Sequence, residues 1–256
     1  MPIRIDPDTL QQVIRPGVEL RKDSECRVDI NSDTVQFRSM SESHEAYLDY
    51  SIPRSAFTPS EDLGTGNYWT TLDHMQDFVR LVTSNEVTII APMEAASSKI
   101  TLQSDTVTYQ YPPLASNAAH PVYRDNSSRL SAAPVLEVTL LNGVFTRAVN
   151  AAALVGESMR IQVTSNTRSV EFSASSTTGD SFLFSTPVDQ VIAAEQPTAS
   201  LTIAIDRLRD IVAAIPSATP VSLQLMNDYL VYRAEFPVPD AEITVYIAEY
   251  LDSIYR

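Results

Sequence analysis

One pattern recurs in this chain and constrains its fold more than any other. Residues 28–40, VDINSDTVQFRSM, and residues 161–175, IQVTSNTRSVEFSAS, alternate apolar and polar side chains on either side of a polar turn, with Val35 and Phe37 answering to Val170 and Phe172. Period-two alternation broken by turn formers is the signature of a β-hairpin. In each half the hairpin follows a short amphipathic helix and precedes a third strand. A second helix then leads into a second hairpin: 72–82 before 87–109, and 207–215 before 221–236. Helices this short cannot bury themselves in a bundle and need sheets to cover their apolar faces. The duplicated unit therefore predicts two similar α+β domains.

The first helix is predicted at 9–15, with Leu10, Val13 and Ile14 inward, ended by Pro16-Gly17 because proline lacks the N–H the next turn needs. Strands follow at 26–30, 34–38 and 46–52, then a loop over 53–66. A helix capped by Thr70 or Thr71 puts Leu72, Met75, Val79 and Val82 inward, and strands at 87–91, 99–103 and 106–111 close the half. Residues 112–134 hold four prolines and no sustained period, which reads as a linker between domains 1–111 and 135–256. The second half begins with a strand at 136–141 and a helix at 143–154 facing Phe145, Ala148, Val149 and Ala152 inward. Strands at 159–164, 169–174, 181–185 and 200–205 come next. A helix capped by Asp206 buries Leu208, Ile211, Val212 and Ile215, and strands at 221–226, 230–236 and 243–247 end the chain.

Composition removes most chemistries. The three histidines, His44, His74 and His120, stand apart with no ligand spacing, and Cys26 is the only cysteine, so neither a metal site nor a disulfide is expected. With six glycines and no phosphate-binding motif, nucleotide chemistry is unsupported, and no catalytic constellation or cofactor is expected. No apolar run approaches the roughly 20 residues that span a bilayer, and the N-terminus lacks the apolar core of a signal peptide, so a cytoplasmic protein is expected. Net charge is −14, and only Lys22 and Lys99 are lysines, the other basic residues being arginines. Such a surface suits a salt-rich, halophilic cytoplasm in which screening removes self-repulsion, and it makes any DNA contact a local matter.

Several segments carry a resemblance. Residues 28–52, residues 72–82 followed by Asn85-Glu86, NGVFTRAV at 142–149, SVEFSAS at 169–175 and VYIA at 245–248 resemble, in order and spacing, the sliding clamps of the proliferating cell nuclear antigen (PCNA) family. The resemblance implies the DNA-clamp fold, with outer antiparallel sheets and inner short helices. It also implies a homotrimeric ring around double-stranded DNA that catalyses nothing and tethers DNA polymerase, clamp loader and other replication proteins. The outward helix faces carry Arg15, Arg80, Arg147, Arg207 and Arg209, of which Arg80 and Arg147 fall where the family turns basic residues to DNA. Asp77, Asn150 and Ala213 replace basic residues common there, so the bore is expected to be weakly positive. The implied partner pocket comprises Met40, His44, Tyr229, Tyr246, Ile247 and Ala248, with Val122, Tyr123 and Leu130 from the linker. The implied subunit edges are 106–111 and 181–185, with Thr108, Tyr109, Tyr111, Phe182 and Phe184. The other expectation left open is a clamp-fold paralogue that binds partners without encircling DNA.

Overall fold

The computed structural model describes residues 2–20, 25–41, 45–57, 65–90, 99–115, 132–189, 191–193, 196–235 and 238–250. The chain forms two compact units. Unit 1 is Met1–Glu42, Leu48–Leu130 and Phe236–Ile243; unit 2 is Ser43–Tyr47, Ser131–Glu235 and Thr244–Arg256. Among the described residues no helix is long and apolar enough to cross a membrane.

In unit 1 the order is β1 (Pro2–Ile5), α1 (Pro7–Leu20), β2 (Glu25–Ile30), β3 (Thr34–Met40), β4 (Ala46–Pro53), a 3-10 turn (Arg54–Ala56), β5 (Gly66–Thr71), α2 (Leu72–Leu81), β6 (Val87–Ile90), β7 (Ile100–Gln103) and β8 (Thr108–Tyr111). The strands make two antiparallel arrays, β4-β3-β2-β5 and β1-β6-β7-β8, and α1 packs on β3 and on α2. In unit 2 the order is β9 (Leu136–Leu141), α3 (Asn142–Ala152), β10 (Ser158–Thr164), β11 (Ser169–Ser175), β12 (Ser181–Pro187), β13 (Val191–Ala193), β14 (Thr198–Ala204), α4 (Asp206–Ala213), β15 (Pro220–Leu225), β16 (Tyr229–Glu235) and β17 (Glu242–Ala248). Its arrays are β12-β11-β10-β14 and β13-β9-β15-β16-β17. Apart from β13 and the 3-10 turn, every element of one unit has a counterpart in the other: β4 answers to β12, β5 to β14 and β8 to β17.

The repeated hairpins keep the same register. Val28 and Ile30 face Phe37 and Val35 across β2–β3, and Ile161 and Val163 face Phe172 and Val170 across β10–β11. All eight side chains are buried, each at a gain of about 1.5–3 kcal/mol, so a one-residue slip would expose one whole set to water.

Four expectations change. Helix α1 starts earlier and runs through Pro16 to Leu20. Asp6 accepts hydrogen bonds from the Thr9 amide and hydroxyl, both at 2.8 Å, and Pro7 supplies the first helical φ. Pro16 removes one backbone donor, yet Pro16 and Gly17 are buried, and a Cβ at Gly17 would collide with the Leu72 side chain. Close packing on α2 thus outweighs the lost hydrogen bond. The inner stripe of α2 uses Phe78, while Val82 lies just past the helix as its C-cap. Thr71 is the N-cap without a side-chain bond, and the Thr70 hydroxyl pairs instead with the Tyr111 phenol at 2.9 Å. Asp206 is the first helical residue of α4, preceded by Ile205 as N-cap. Strands β1, β5 and β13 are additional to those expected.

On β2–β4 a charged network crosses the sheet: Asp29 bridges Arg27 at 2.7 Å and Arg38 at 3.0 Å, and Arg38 reaches Asp49 at 3.2 Å. Burial raises the Asp49 carboxyl above the ordinary aspartate range, with Arg38 opposing, and its Oδ1 has no hydrogen-bond partner. A raised folded-state pKa means that the native state holds the proton more tightly than the unfolded chain. That contribution is complete below the unfolded value of about 3.9 and is lost as pH rises through the raised one. Asp49→Asn is therefore expected to gain in melting temperature on the parent as pH climbs from about 3 to 7. A gap constant with pH, or shrinking, would contradict this.

Candidate functional site

Among the described residues β8 and β12 each have a strand on one side only. Thr108, Tyr109 and Gln110 of β8 are exposed and Tyr111 is buried. The Tyr109 phenol lies 3.0 Å from His74 Nδ1 of α2, and the His74 ring sits 4.4 Å from that of Tyr111. Tyr111 thus supports the edge from beneath rather than presenting a surface, and burial pushes its phenol pKa up.

On β12, Phe182 and Phe184 lie opposite Ala174 and Phe172. Phe184 stacks on Phe172 at 6.1 Å, and the Arg147 guanidinium of α3 lies 6.0 Å from its ring centre. Both phenylalanines are half-buried on the helix side. The side chain that β12 turns outward is Leu183, 66% exposed. The period of a strand carried that information, since 183 must oppose 182 and 184.

Unit 2 also shows what a covered edge looks like. At the end of β17 the Ala248 amide donates to the Glu45 carbonyl at 2.7 Å, and the rings of Tyr47 and Tyr246 are 5.8 Å apart. The start of β4 therefore lies against β17. Their counterparts in the repeat are β12 and β8, each of which stands at the end of its array with one neighbour among the described residues.

On the helices, Arg15, Arg80, Arg147 and Arg209 are exposed, and the side chain of Arg207 lies outside the described residues. Arg80 is partnered by Asp77 at 3.3 Å, with both side chains largely in solvent. Asp8 and Glu19 are exposed on α1, and Asp206 and Asp210 on α4. These surfaces carry cations interleaved with carboxylates.

Of the implied partner pocket, His44, Val122, Tyr123 and Leu130 lie outside the described residues. Met40 and Ile247 are buried, so they underlie a surface rather than line it. What unit 2 does present is a row of half-buried tyrosines, Tyr229, Tyr246 and Tyr47, with Tyr229–Tyr246 at 6.4 Å and Tyr47 added by the structure. Burial, followed by the charge of Asp228, raises the Tyr229 phenol pKa, so near neutrality Tyr229 offers neutral aromatic surface with a hydroxyl tip.

No family model matches the chain. A curated relative, the DNA polymerase sliding clamp of Halobacterium salinarum, is 23% identical over 238 residues, spanning 93% of this chain and 92% of the relative. Among solved structures, A. fulgidus PCNA with the C-terminal region of FEN-1 bound superposes with a TM-score of 0.82 at 16% identity, covering 98% of this chain and 99% of that one. PCNA from Thermococcus kodakaraensis gives 0.79 at 18% identity, covering 97% and 99%. The fold is the DNA-clamp fold, α+β, with antiparallel sheets and short helices.

Proposed function

We propose that the chain is a DNA sliding clamp, a polymerase processivity factor that closes into a ring of three copies around duplex DNA and tethers replication and repair proteins without catalysing a reaction. Its domains are 1–111 and 135–256, joined by the connector 112–134. One observation carries the reading: β17 is covered by the start of β4, whereas their repeat counterparts β8 and β12 are open. Repeating that contact between chains lays β8 of one copy against β12 of the next, a head-to-tail interface that generates a ring when the rotation closes. Thr108, Tyr109, Phe182 and Phe184 belong to those edges, with Tyr111 beneath and Leu183 facing outward. The curated relative's name and its coverage of nearly the whole chain support the same reading.

Arg15, Arg80, Arg147, Arg207 and Arg209 are the DNA-facing cations, diluted by neighbouring carboxylates. Few phosphates are neutralised, and counterion release contributes little in concentrated salt. Retention then comes from enclosure. Mixed with nicked plasmid circles at low concentration and brought to molar potassium chloride, the protein is expected to stay on the circles and to leave once they are cut. Loss at molar salt before cutting would sink the encirclement. Arg80→Ala is expected to lower the slope of log affinity against log salt for a short linear duplex by about 1 while leaving retention on circles unchanged. The partner surface is the tyrosine row with Ala248 at its end; Met40, His44, Ile247 and the connector residues Val122, Tyr123 and Leu130 are assigned to it by the resemblance alone.

A further inference from the structure

Asn142-Gly143 is the one Asn-Gly pair in the chain. The joint between the start of α3 and the end of α4 demands both residues. Asn142 is fully buried, donates from Nδ2 to the Val212 and Ile215 carbonyls at 2.9 and 2.8 Å, and accepts at Oδ1 from the Tyr232 phenol at 3.0 Å. The Gly143 N–H donates to the Ser217 carbonyl at 2.8 Å, and a Cβ on residue 143 would stand 2.9 Å from the Ser217 Cβ, closer than a Cβ tolerates. Asparagine is required for its amide and glycine for its lack of a side chain. Neither residue belongs to the DNA-facing or partner surfaces proposed above.

The same two residues are chemically labile when joined in a free chain, where glycine offers no Cβ to shield its backbone nitrogen and asparagine is a thermolabile side chain. The glycine nitrogen attacks the side-chain carbonyl carbon: an N–Cγ bond forms, the Cγ–Nδ2 bond breaks, and Nδ2 leaves as ammonia with the proton the nitrogen gives up. Water then opens the cyclic imide, at Cγ to give aspartate or at the main-chain carbonyl to give isoaspartate. Water is the only co-reactant. In the folded chain this step is blocked. The Gly143 N–H is committed to Ser217 and Nδ2 to two carbonyls, and Asn142 is shut off from the water that would carry the proton.

We infer that Asn142 is a covalent modification site that the fold keeps closed: when the joint of α3 and α4 opens, Asn142-Gly143 cyclises and loses ammonia, and the product cannot rebuild the joint. An aspartate at 142 has no donor for the Val212 and Ile215 carbonyls. Isoaspartate adds a carbon to the main chain where α3 begins. Opening of unit 2 thereby becomes irreversible, one molecule at a time. Cyclisation is far slower than the opening and closing of a helix joint, so its rate follows the equilibrium population of the open state.

The test incubates the full chain in mildly alkaline buffer, folded in molar potassium chloride and unfolded in concentrated urea. Peptide mapping by mass spectrometry follows the amide-to-acid mass gain at Asn142 and the separate elution of the isoaspartyl peptide. Conversion in urea is expected to outrun that in the folded chain by at least about 100-fold. Asn31, exposed in the β2–β3 turn and followed by Ser32, is the internal control, and its two rates are expected to differ far less. Tyr232→Phe removes one hydrogen bond from the joint and is expected to raise the folded-state rate at Asn142 about fivefold while leaving the rate in urea unchanged. Asn142→Asp, which reproduces one product, is expected to melt well below the parent or not to fold. Equal rates at Asn142 in the two conditions, no conversion in urea, or a folded-state rate unmoved by Tyr232→Phe overturns the inference. Melting of Asn142→Asp at the parent temperature overturns the irreversibility.

Discussion

Leu183→Arg and Tyr109→Arg are each expected to reduce the proposed assembly of three times 28.2 kDa to the 28.2 kDa chain, measured by light scattering in molar potassium chloride. Leu183 is the large apolar side chain that β12 turns outward, and Tyr109 is the exposed aromatic of β8. An arginine at either position must lose its hydration or hold the strands apart. Truncating a hot-spot residue of an interface costs about 2 kcal/mol or more, about thirtyfold in each dissociation constant, and all three contacts of a ring carry the same change. The decisive measurement mixes the two variants. In a head-to-tail interface the Leu183→Arg chain keeps a working β8 and the Tyr109→Arg chain keeps a working β12, so together they form one dimer of twice 28.2 kDa and nothing larger. If like edges paired with like, each variant alone would dimerise through its unaltered edge. That result would remove the ring.

The parts of this fold that were legible in the sequence are those whose signal is periodic. The hairpins at 28–40 and 161–175 show period-two alternation, and α3 and α4 show apolar stripes at helical spacing, because one buried face imposes that spacing. Strand β5 was hidden because Tyr68, Trp69 and Thr70 are all buried in succession, which leaves no alternation to read. The true length of α1 was hidden because Pro16 and Gly17 are local stop signals, overridden by the contact of Gly17 with Leu72, a residue 55 positions away. The candidate sites divide in the same way. Leu183 was implicit in strand parity, whereas Asn142, Ile215 and Tyr232 come together only through the fold, and no spacing in the sequence joins them. Tyr47 belongs to unit 2 although most of β4 belongs to unit 1, an exchange that linear reading has no means to anticipate.

Asn142→Ala is expected to be among the most damaging single substitutions in unit 2, although it deletes only a small side chain. Asn142 opens α3 and is fully buried. Its Nδ2 donates to the Val212 and Ile215 carbonyls at 2.9 and 2.8 Å, and its Oδ1 accepts from the Tyr232 phenol at 3.0 Å. Val212 lies in the last turn of α4 and Ile215 two residues past its end, where a helix leaves carbonyls that its own amides do not fully satisfy. One side chain therefore closes α4, starts α3 and satisfies a tyrosine on β16. Gly143 beside it leaves room for Ser217, which a Cβ would approach to 2.9 Å, and this close approach holds the two helix ends together. Alanine would leave the Ile215 carbonyl and the Tyr232 phenol short of a partner in the core, while the Val212 carbonyl keeps the Ile215 amide at 3.3 Å, at about 1–3 kcal/mol for each group left unsatisfied. A total near 3 kcal/mol corresponds to a fall of about 10 °C in melting temperature. Tyr232→Phe removes only the phenol bond and is expected to cost about 1 kcal/mol. In the Asn142→Ala background the same Tyr232→Phe change is expected to cost less, because the phenol has already lost its acceptor. Additive losses in that double-mutant cycle would show that Asn142 and Tyr232 act separately and that the bond between them contributes nothing to stability.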